Sequence, residues 1–157
     1  MKIAVYPGSF DPITNGHLDI LRRSLKIFDK VIILLAVNPK KKSRFNVEER
    51  LEMMRGAVKD FSNVEVDFYA GLTVEYAKKV GAKALIRGLR AVTDFEYEFE
   101  LSAGNSYIDS SIEMVFFMAG KEMSFISSSM VNELEESGVD VSKLVPPSVV
   151  EAYKKVK

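Results

Sequence analysis

His17 is the only histidine in 157 residues, and it closes the segment YPGSFDPITNGH at positions 6–17. An imidazole can donate a hydrogen bond, accept one, or carry a proton near neutrality. This one follows a turn rich in glycine and proline and opens an apolar-periodic run, so it stands where a helix begins. The first N–H groups of a helix lack intrahelical partners and carry the positive end of its dipole, which makes the place an anion site. Gly8 lets the backbone come close to a ligand. The plainer reading is a loop histidine that caps the helix or packs against it.

Three more polar clusters could serve the same chemistry. KKKSR, residues 40–44, follows an apolar run and includes Lys41; it can equally be a solvated surface. In RGLR, residues 87–90, Arg87 and Arg90 flank Gly88 and Leu89, and a guanidinium fork suits phosphate because it donates in pairs. SFISSS, residues 124–129, sets serines at a helix start. Their hydroxyls and N–H groups could cap the helix or hold a phosphate chain. Neither a Walker loop nor the dinucleotide fingerprint is present. With no cysteine and one histidine, disulfides, thiolate nucleophiles and multi-histidine metal cages are excluded. No activated protein nucleophile is evident. The residues point to a nucleotide- or phosphate-binding site built from cations, one imidazole and helix termini.

The elements that must position these groups alternate along the chain. KIAVY and KVIILLAV read as buried strands, and VEVDF, KALIRG and EMVFFM as a third, fourth and fifth strand. Between them, Leu18, Leu21, Leu25 and Phe28 share one helical face. Asn46 with Glu49 reads as a capping box ahead of Leu51, Met54 and Val58. Thr73 is expected to cap the next helix and Gly81 to end it. Residues 127–129 open another, with Val131 and Leu134 inward and Gly138 at its end, and VPPSVVEAYKKV follows as a last helix. DFEYEFE reads two ways: it alternates like a strand, yet Phe95, Phe99 and Ala103 share a helical face behind Asp94 as a cap. Uninterrupted apolar strands joined by helices predict a Rossmann-like α/β fold, a parallel five-stranded sheet covered on both faces, in a single domain over residues 1–157. Ligands bind such sheets outside the carboxyl ends of the strands, and the four clusters fall at those ends.

Twenty-two basic residues balance 22 acidic ones. Zero net charge argues against a nucleic-acid coat or a membrane-surface protein. VIILLAV, residues 31–37, is too short to cross a bilayer. No leader is readable before Pro7 and Gly8 interrupt the first apolar run, so a cytoplasmic place is expected.

YPGSFDPITNGH resembles the start of the nucleotidyltransferase superfamily, whose T/H-x-G-H signature matches Thr14, Asn15, Gly16 and His17. With LIRGLRAVTDFEYE and SFISSS, the chain resembles more narrowly the phosphopantetheine adenylyltransferase family of coenzyme A synthesis, over nearly its whole length. The resemblance implies adenylyl transfer from ATP to 4′-phosphopantetheine, giving dephospho-coenzyme A and pyrophosphate. It implies catalytic roles for His17, Lys41 and Arg90, and acceptor binding by Ser9, Lys41, Thr73 and Arg87. ATP contacts are implied for Ser9, Phe10, His17, Gly88, Leu89, Arg90, Glu98, Met123, Ser124, Phe125, Ile126, Ser127, Ser128 and Ser129. It further implies Mg²⁺ carried mainly on the ATP phosphates, a homohexamer, and coenzyme A or dephospho-coenzyme A as product or feedback ligand. Ser9 stands where the family often has threonine, which keeps the hydroxyl. Met123 stands where an aromatic is frequent, which weakens the expected contact there. By the same resemblance, DFEYEFE is a helix. Transferases for other phosphorylated acceptors and a nucleotide sensor without turnover are the alternatives.

Overall fold

The apolar runs form a five-stranded parallel sheet in a computed structural model that describes residues 1–156, and of Thr93 the backbone alone. The elements are β1 (Ile3–Gly8), α1 (Asn15–Ser24), β2 (Lys30–Ala36), α2 (Val47–Val58), β3 (Val64–Tyr69), α3 (Thr73–Lys79), β4 (Ala84–Leu89), α4 (Val92–Ile108), β5 (Glu113–Met118), α5 (Ser128–Glu136) and α6 (Pro147–Lys155). Strand order is β3-β2-β1-β4-β5, with Val5 registered against Ile32 on one side and Leu85 on the other. The chain winds outward from β1 to β3, then returns beside β1 with β4. The crevice of such a sheet lies where this reversal occurs, at the carboxyl ends of β1 and β4.

Both sheet faces are apolar because each central strand sends alternate side chains to opposite cores. Ala4, Tyr6, Val31, Ile33 and Leu35 join one cluster with Leu21, Met54 and Val131. Val5, Ile32 and Leu34 join the other with Val74, Ala77 and Leu85. Truncating a fully buried residue such as Ile33 to alanine would cost about 2–5 kcal/mol.

Local signals set several helix ends. Asn46 and Glu49 close the expected capping box, Glu49 N–H donating to Asn46 Oδ1 at 2.8 Å and Asn46 N–H to Glu49 Oε1 at 3.0 Å. Gly81 and Gly138 end their helices at φ of +74° and +83°, a conformation that is strained for other residues. Thr73 corrects the expectation. It is the first residue of α3, the cap position belongs to Leu72, and no side chain caps that helix. DFEYEFE is helical, as the resemblance implied. Asp94 is not its cap: α4 begins at Val92 behind Ala91, and the Asp94 carboxylate accepts the Arg90 N–H instead. The helix is turned opposite to its apolar pattern. Glu98 and Asn105 are buried while Phe95, Tyr97 and Phe99 face outward. The buried polar side is explained below.

Candidate active site

A cleft of about 320 Å³ opens at the carboxyl ends of β1 and β4, where the strand order reverses. Its wall runs from Gly8, Ser9 and Phe10, across the start of α1, to Arg87, Gly88 and Arg90, and closes with Met123, Ile126 and residues 127–129. Phe10 has φ of 40°, left-handed backbone that is uncommon for a bulky residue and costs of order 1–3 kcal/mol. Its ring is 2% exposed and meets the edge of Tyr6 and of His17, with centroids 5.5 and 4.9 Å away. Burial of that ring holds the turn in place beneath the imidazole.

His17 fulfils both readings of a lone histidine at a helix start. It is the N3 residue of α1, and its Nδ1 accepts the Thr14 backbone N–H at 2.9 Å while the Thr14 hydroxyl faces the His17 N–H. This is a capping box in which imidazole replaces the usual glutamate. A backbone amide only donates, so Nδ1 must carry a lone pair and the proton resides on Nε2. No described residue accepts a bond from Nε2, and the half-buried ring lines the cleft. Burial first, then the charges of Arg90 and Arg87, push its pKa down from 6.5 to about 4. The ring is therefore a neutral, oriented N–H donor at physiological pH.

Arg87 belongs to β4 rather than to the loop after it. Its Nε donates to Glu98 at 2.9 Å, its Nη2 donates to Glu98 at 2.7 Å, and its Nη1 donates to the Pro7 carbonyl at 3.2 Å. Burial opposes the guanidinium charge, but the Glu98 carboxylate outweighs it and raises the pKa. Glu98 is 5% exposed and does not line the cleft. Its observed role is to hold Arg87 and tie α4 to β1 and β4. Arg90 does line the cleft, half-exposed, with Asp94 at 3.7 Å.

The serine segment divides its work. Ser127 Oγ accepts the Met130 N–H as the cap of α5, and Ser128 Oγ donates to the Pro12 carbonyl at 2.7 Å. The N–H groups of Ser128 and Ser129 head the helix and face the cleft end, a place for an anion. Met123 and Ile126 supply apolar wall, whereas Ser124 and the half-exposed Phe125 lie outside it. Leu89 is buried and does not line the cleft, and its carbonyl accepts the Ala119 N–H at 2.7 Å. In KKKSR, Arg44 is structural: it pairs with Glu135 and Glu136 at 3.0 and 2.7 Å and lies over the Tyr153 ring. Lys41 is exposed and lines an adjoining chamber, which shares Ser9, Ser128 and Ser129 with the main cleft. Thr73 lines neither space. It sits at the start of α3, beyond the carboxyl end of the edge strand β3.

Residues 5–134 match the cytidylyltransferase-like family. The phosphopantetheine adenylyltransferase of Lachnoclostridium phytofermentans is 52% identical over 151 residues, covering 96% of this chain and 93% of that one. The enzymes of the same name from Caldanaerobacter subterraneus subsp. tengcongensis and Desulfosudis oleivorans are 47% and 48% identical, over 96% and 95% of this chain and 94% and 89% of theirs. The chain belongs to the phosphopantetheine adenylyltransferase family. A crystal structure from Vibrio parahaemolyticus, assigned as a nicotinate-nucleotide adenylyltransferase, superposes with a TM-score of 0.72 over 98% of this chain and 99% of that one. At 21% identity it shows the shared fold alone.

Several wall residues of this family member went unread in the sequence. Tyr6, Ile20 and Ala119 line the main cleft, and Asn38, Lys42, Arg50 and Asn132 line the chamber beside it. Lys42 lies in the KKKSR run read as a candidate cluster, although it was not singled out there. Arg50 gave no such signal, because an arginine in an amphipathic helix reads as solvent-facing, yet it is 8% exposed.

Proposed function

We propose that this chain transfers the adenylyl group of ATP to 4′-phosphopantetheine, giving dephospho-coenzyme A and pyrophosphate. The observation that carries the reading is the 52% identity to an enzyme of that name over nearly the full length of both chains. The cleft supplies a means. The acceptor phosphate is already an anion at neutral pH, so no general base is required. One of its oxygens attacks the α-phosphorus in line, the bond to the bridging β-phosphate oxygen breaks, and the electron pair leaves with pyrophosphate. The protein's work is to align two anions and to absorb charge on the phosphorus oxygens. His17 Nε2–H donates to an α-phosphate oxygen beside the N-terminus of α1. Lys41 and Arg90 hold the reacting phosphates. Arg87, fixed by Glu98, and Ser9 meet the acceptor, and Thr73 contacts its far arm. Gly88, Met123, Ile126 and residues 127–129, which wall the cleft, receive the nucleotide.

Mg²⁺ enters as the counter-ion of ATP. The main cleft is walled by hydroxyls, cations and apolar groups, and no group of acidic or histidine ligands that could cage an ion occurs among the described residues. The reaction runs where ATP is, in the cytoplasm. No described helix is long and apolar enough to cross a membrane. The expected homohexamer has support in α4, whose Phe95, Tyr97, Phe99 and Tyr107 are 53–93% exposed, more apolar surface than a lone soluble chain usually leaves on one helix. Coenzyme A or dephospho-coenzyme A is the product-side ligand of the same cleft.

The test is pyrophosphate release. ATP with 4′-phosphopantetheine should support it, and ATP or CTP with nicotinamide mononucleotide or glycerol phosphate should not. ATP binding without release from any acceptor would leave a nucleotide sensor.

A further inference from the structure

Residues 9–12 belong to no helix or strand, so the backbone groups of that turn must find partners elsewhere. Side chains of α2 and α5 supply them. Arg50 of α2 donates to the Ser9 carbonyl at 3.1 Å. Ser128 and Asn132 stand one turn apart on α5 and hold two further carbonyls: Ser128 Oγ donates to Pro12 at 2.7 Å, and Asn132 Nδ2 to Asp11 at 3.0 Å. The amide of Asn132 turns its nitrogen to Asp11 because its oxygen is claimed from the other side. Tyr153 of α6, which is 4% exposed, donates its O–H to Asn132 Oδ1 at 2.5 Å. Burial raises the tyrosine pKa, so the phenol keeps the proton it donates. The Tyr153 ring is itself set between Phe45, with centroids 5.4 Å apart, and the Arg44 guanidinium. A row of bonds thus runs from α6, through α5, into the turn that carries Ser9 and Phe10.

That turn needs holding. Left-handed backbone at Phe10 persists only where surrounding contacts over-determine it, and its strain is comparable with what one or two hydrogen bonds contribute. The carbonyl that Asn132 holds belongs to the next residue. Its release would let Phe10 return toward negative φ, and the Phe10 ring would then leave the edge of the imidazole, 4.9 Å away between centroids. We infer that Asn132 and Tyr153 are positioning residues for the active site: Tyr153 fixes the amide of Asn132, Asn132 fixes the Asp11 carbonyl, and the turn thereby keeps Phe10 beneath His17. In this role neither touches a substrate. The effect on turnover rests on the adenylyl transfer proposed above, and the effect on the imidazole does not.

Two uncharged variants of nearly parental volume test the pair. Asn132→Leu removes both amide bonds, and Tyr153→Phe removes only the O–H. Pyrophosphate release from ATP with 4′-phosphopantetheine is measured well below each Tm. In Asn132→Leu, kcat should fall roughly tenfold to a hundredfold, the scale of a misplacement of about 1 Å, and in Tyr153→Phe roughly threefold. KM for ATP should stay within about threefold, because Gly88, Met123 and Ile126 wall the nucleotide independently of the turn. The double variant should match Asn132→Leu alone, since the tyrosine acts through the amide. Asn132→Gln keeps a carboxamide and should recover part of the loss. His17 is the only histidine, so its ring signals are unambiguous in NMR spectra of the full chain, and they should move in both single variants as Phe10 shifts. A lower Tm with kcat within about twofold of the parent and the ring signals unmoved would reduce the pair to a stabilising contact and overturn the inference. Additive losses in the double variant would overturn the link from Tyr153 to Asn132. Should Asn132→Leu not fold, Tyr153→Phe decides by the same two readouts. A parent that releases no pyrophosphate would remove the proposed reaction, while the His17 signals would still test the placement.

Discussion

Replacing His17 separates two jobs that one ring performs. Nδ1 holds the Thr14 N–H and so closes the start of α1, while Nε2–H faces the cleft. His17→Ala removes both. Losing one of the two capping-box bonds costs about 1 kcal/mol, which for a domain of this size lowers Tm by roughly 2–4 °C. Losing the donor to the α-phosphate should lower kcat by about 10²–10³, the usual effect of removing one oxyanion donor. His17→Glu uncouples the two. Glutamate at N3 is the ordinary capping-box partner and its charge suits the helix start, so Tm should stay within about 2 °C of the parent. It has no N–H to offer and adds an anion beside two substrates that are anions, so kcat should fall at least as far as in alanine. His17→Gln can keep the cap through its carbonyl and present an amide N–H near the Nε2 position, and should recover part of the loss. Thermal melts and steady-state pyrophosphate release measure both effects on the same preparations. A His17→Glu protein with kcat within about tenfold of the parent would refute the donor argument. A His17→Ala protein that melts with the parent would refute the structural role of Nδ1.

The same ring sets a pH dependence. Its folded pKa of about 4 lies below its ordinary 6.5, so as pH falls the unfolded chain binds the proton first. The contribution of neutral His17 is complete above pH 6.5 and is lost between about 6.5 and 4, up to about 3 kcal/mol, read as the difference between parent and His17→Gln in denaturant melts across that window. An NMR titration of the imidazole with a midpoint near 6.5 would contradict it. Glu98→Gln strips Arg87 of its carboxylate in a largely buried setting and should cost about 3–5 kcal/mol, with a raised KM for the acceptor in whatever fraction stays folded. Lys41→Ala should leave Tm unchanged and lower kcat/KM for the acceptor. Arg44→Met, three residues along, should lower Tm and leave both KM values near the parent's, because Arg44 pairs with α5 rather than facing the chamber.

The parallel sheet was legible because its strands are short, apolar and bounded by turn residues, and because both faces are buried. Capping signals located α2 and α5, and the αL glycines located two helix ends. Thr73 misled because a threonine one residue inside a helix looks the same in sequence as one at its cap. α4 was ambiguous for a physical reason: its inward face carries Glu98 and Asn105 and its outward face the aromatics. Periodicity assumes that apolar residues point to the core, and it fails where a helix turns a carboxylate inward to hold an arginine. In the site, groups adjacent in sequence to helix starts and strand ends could be read. Arg50 could not, since its burial depends on how α2 lies against the Ser9 turn, a long-range contact that no local pattern encodes.

Fold and chemistry draw on the same bonds here. The bond that starts α1 is the bond that fixes the imidazole tautomer. The pair that fastens α4 to β4 is the pair that aims Arg87, and the Ser127 cap takes the Met130 N–H, so that the Ser128 and Ser129 amides have no partner among the described residues. Each donor is therefore oriented before any ligand arrives, and the cost of holding it is met during folding rather than during the reaction. That arrangement suits a transfer between two anions. A protein nucleophile would add a step without easing the repulsion between substrates, whereas fixed cations and N–H groups act on that repulsion directly. It also explains why one histidine suffices. With Nδ1 committed to the backbone and its pKa pushed down by burial, His17 is suited in the proposed transfer to donating one hydrogen bond rather than to shuttling protons, and a nucleophile that is already ionised needs no base.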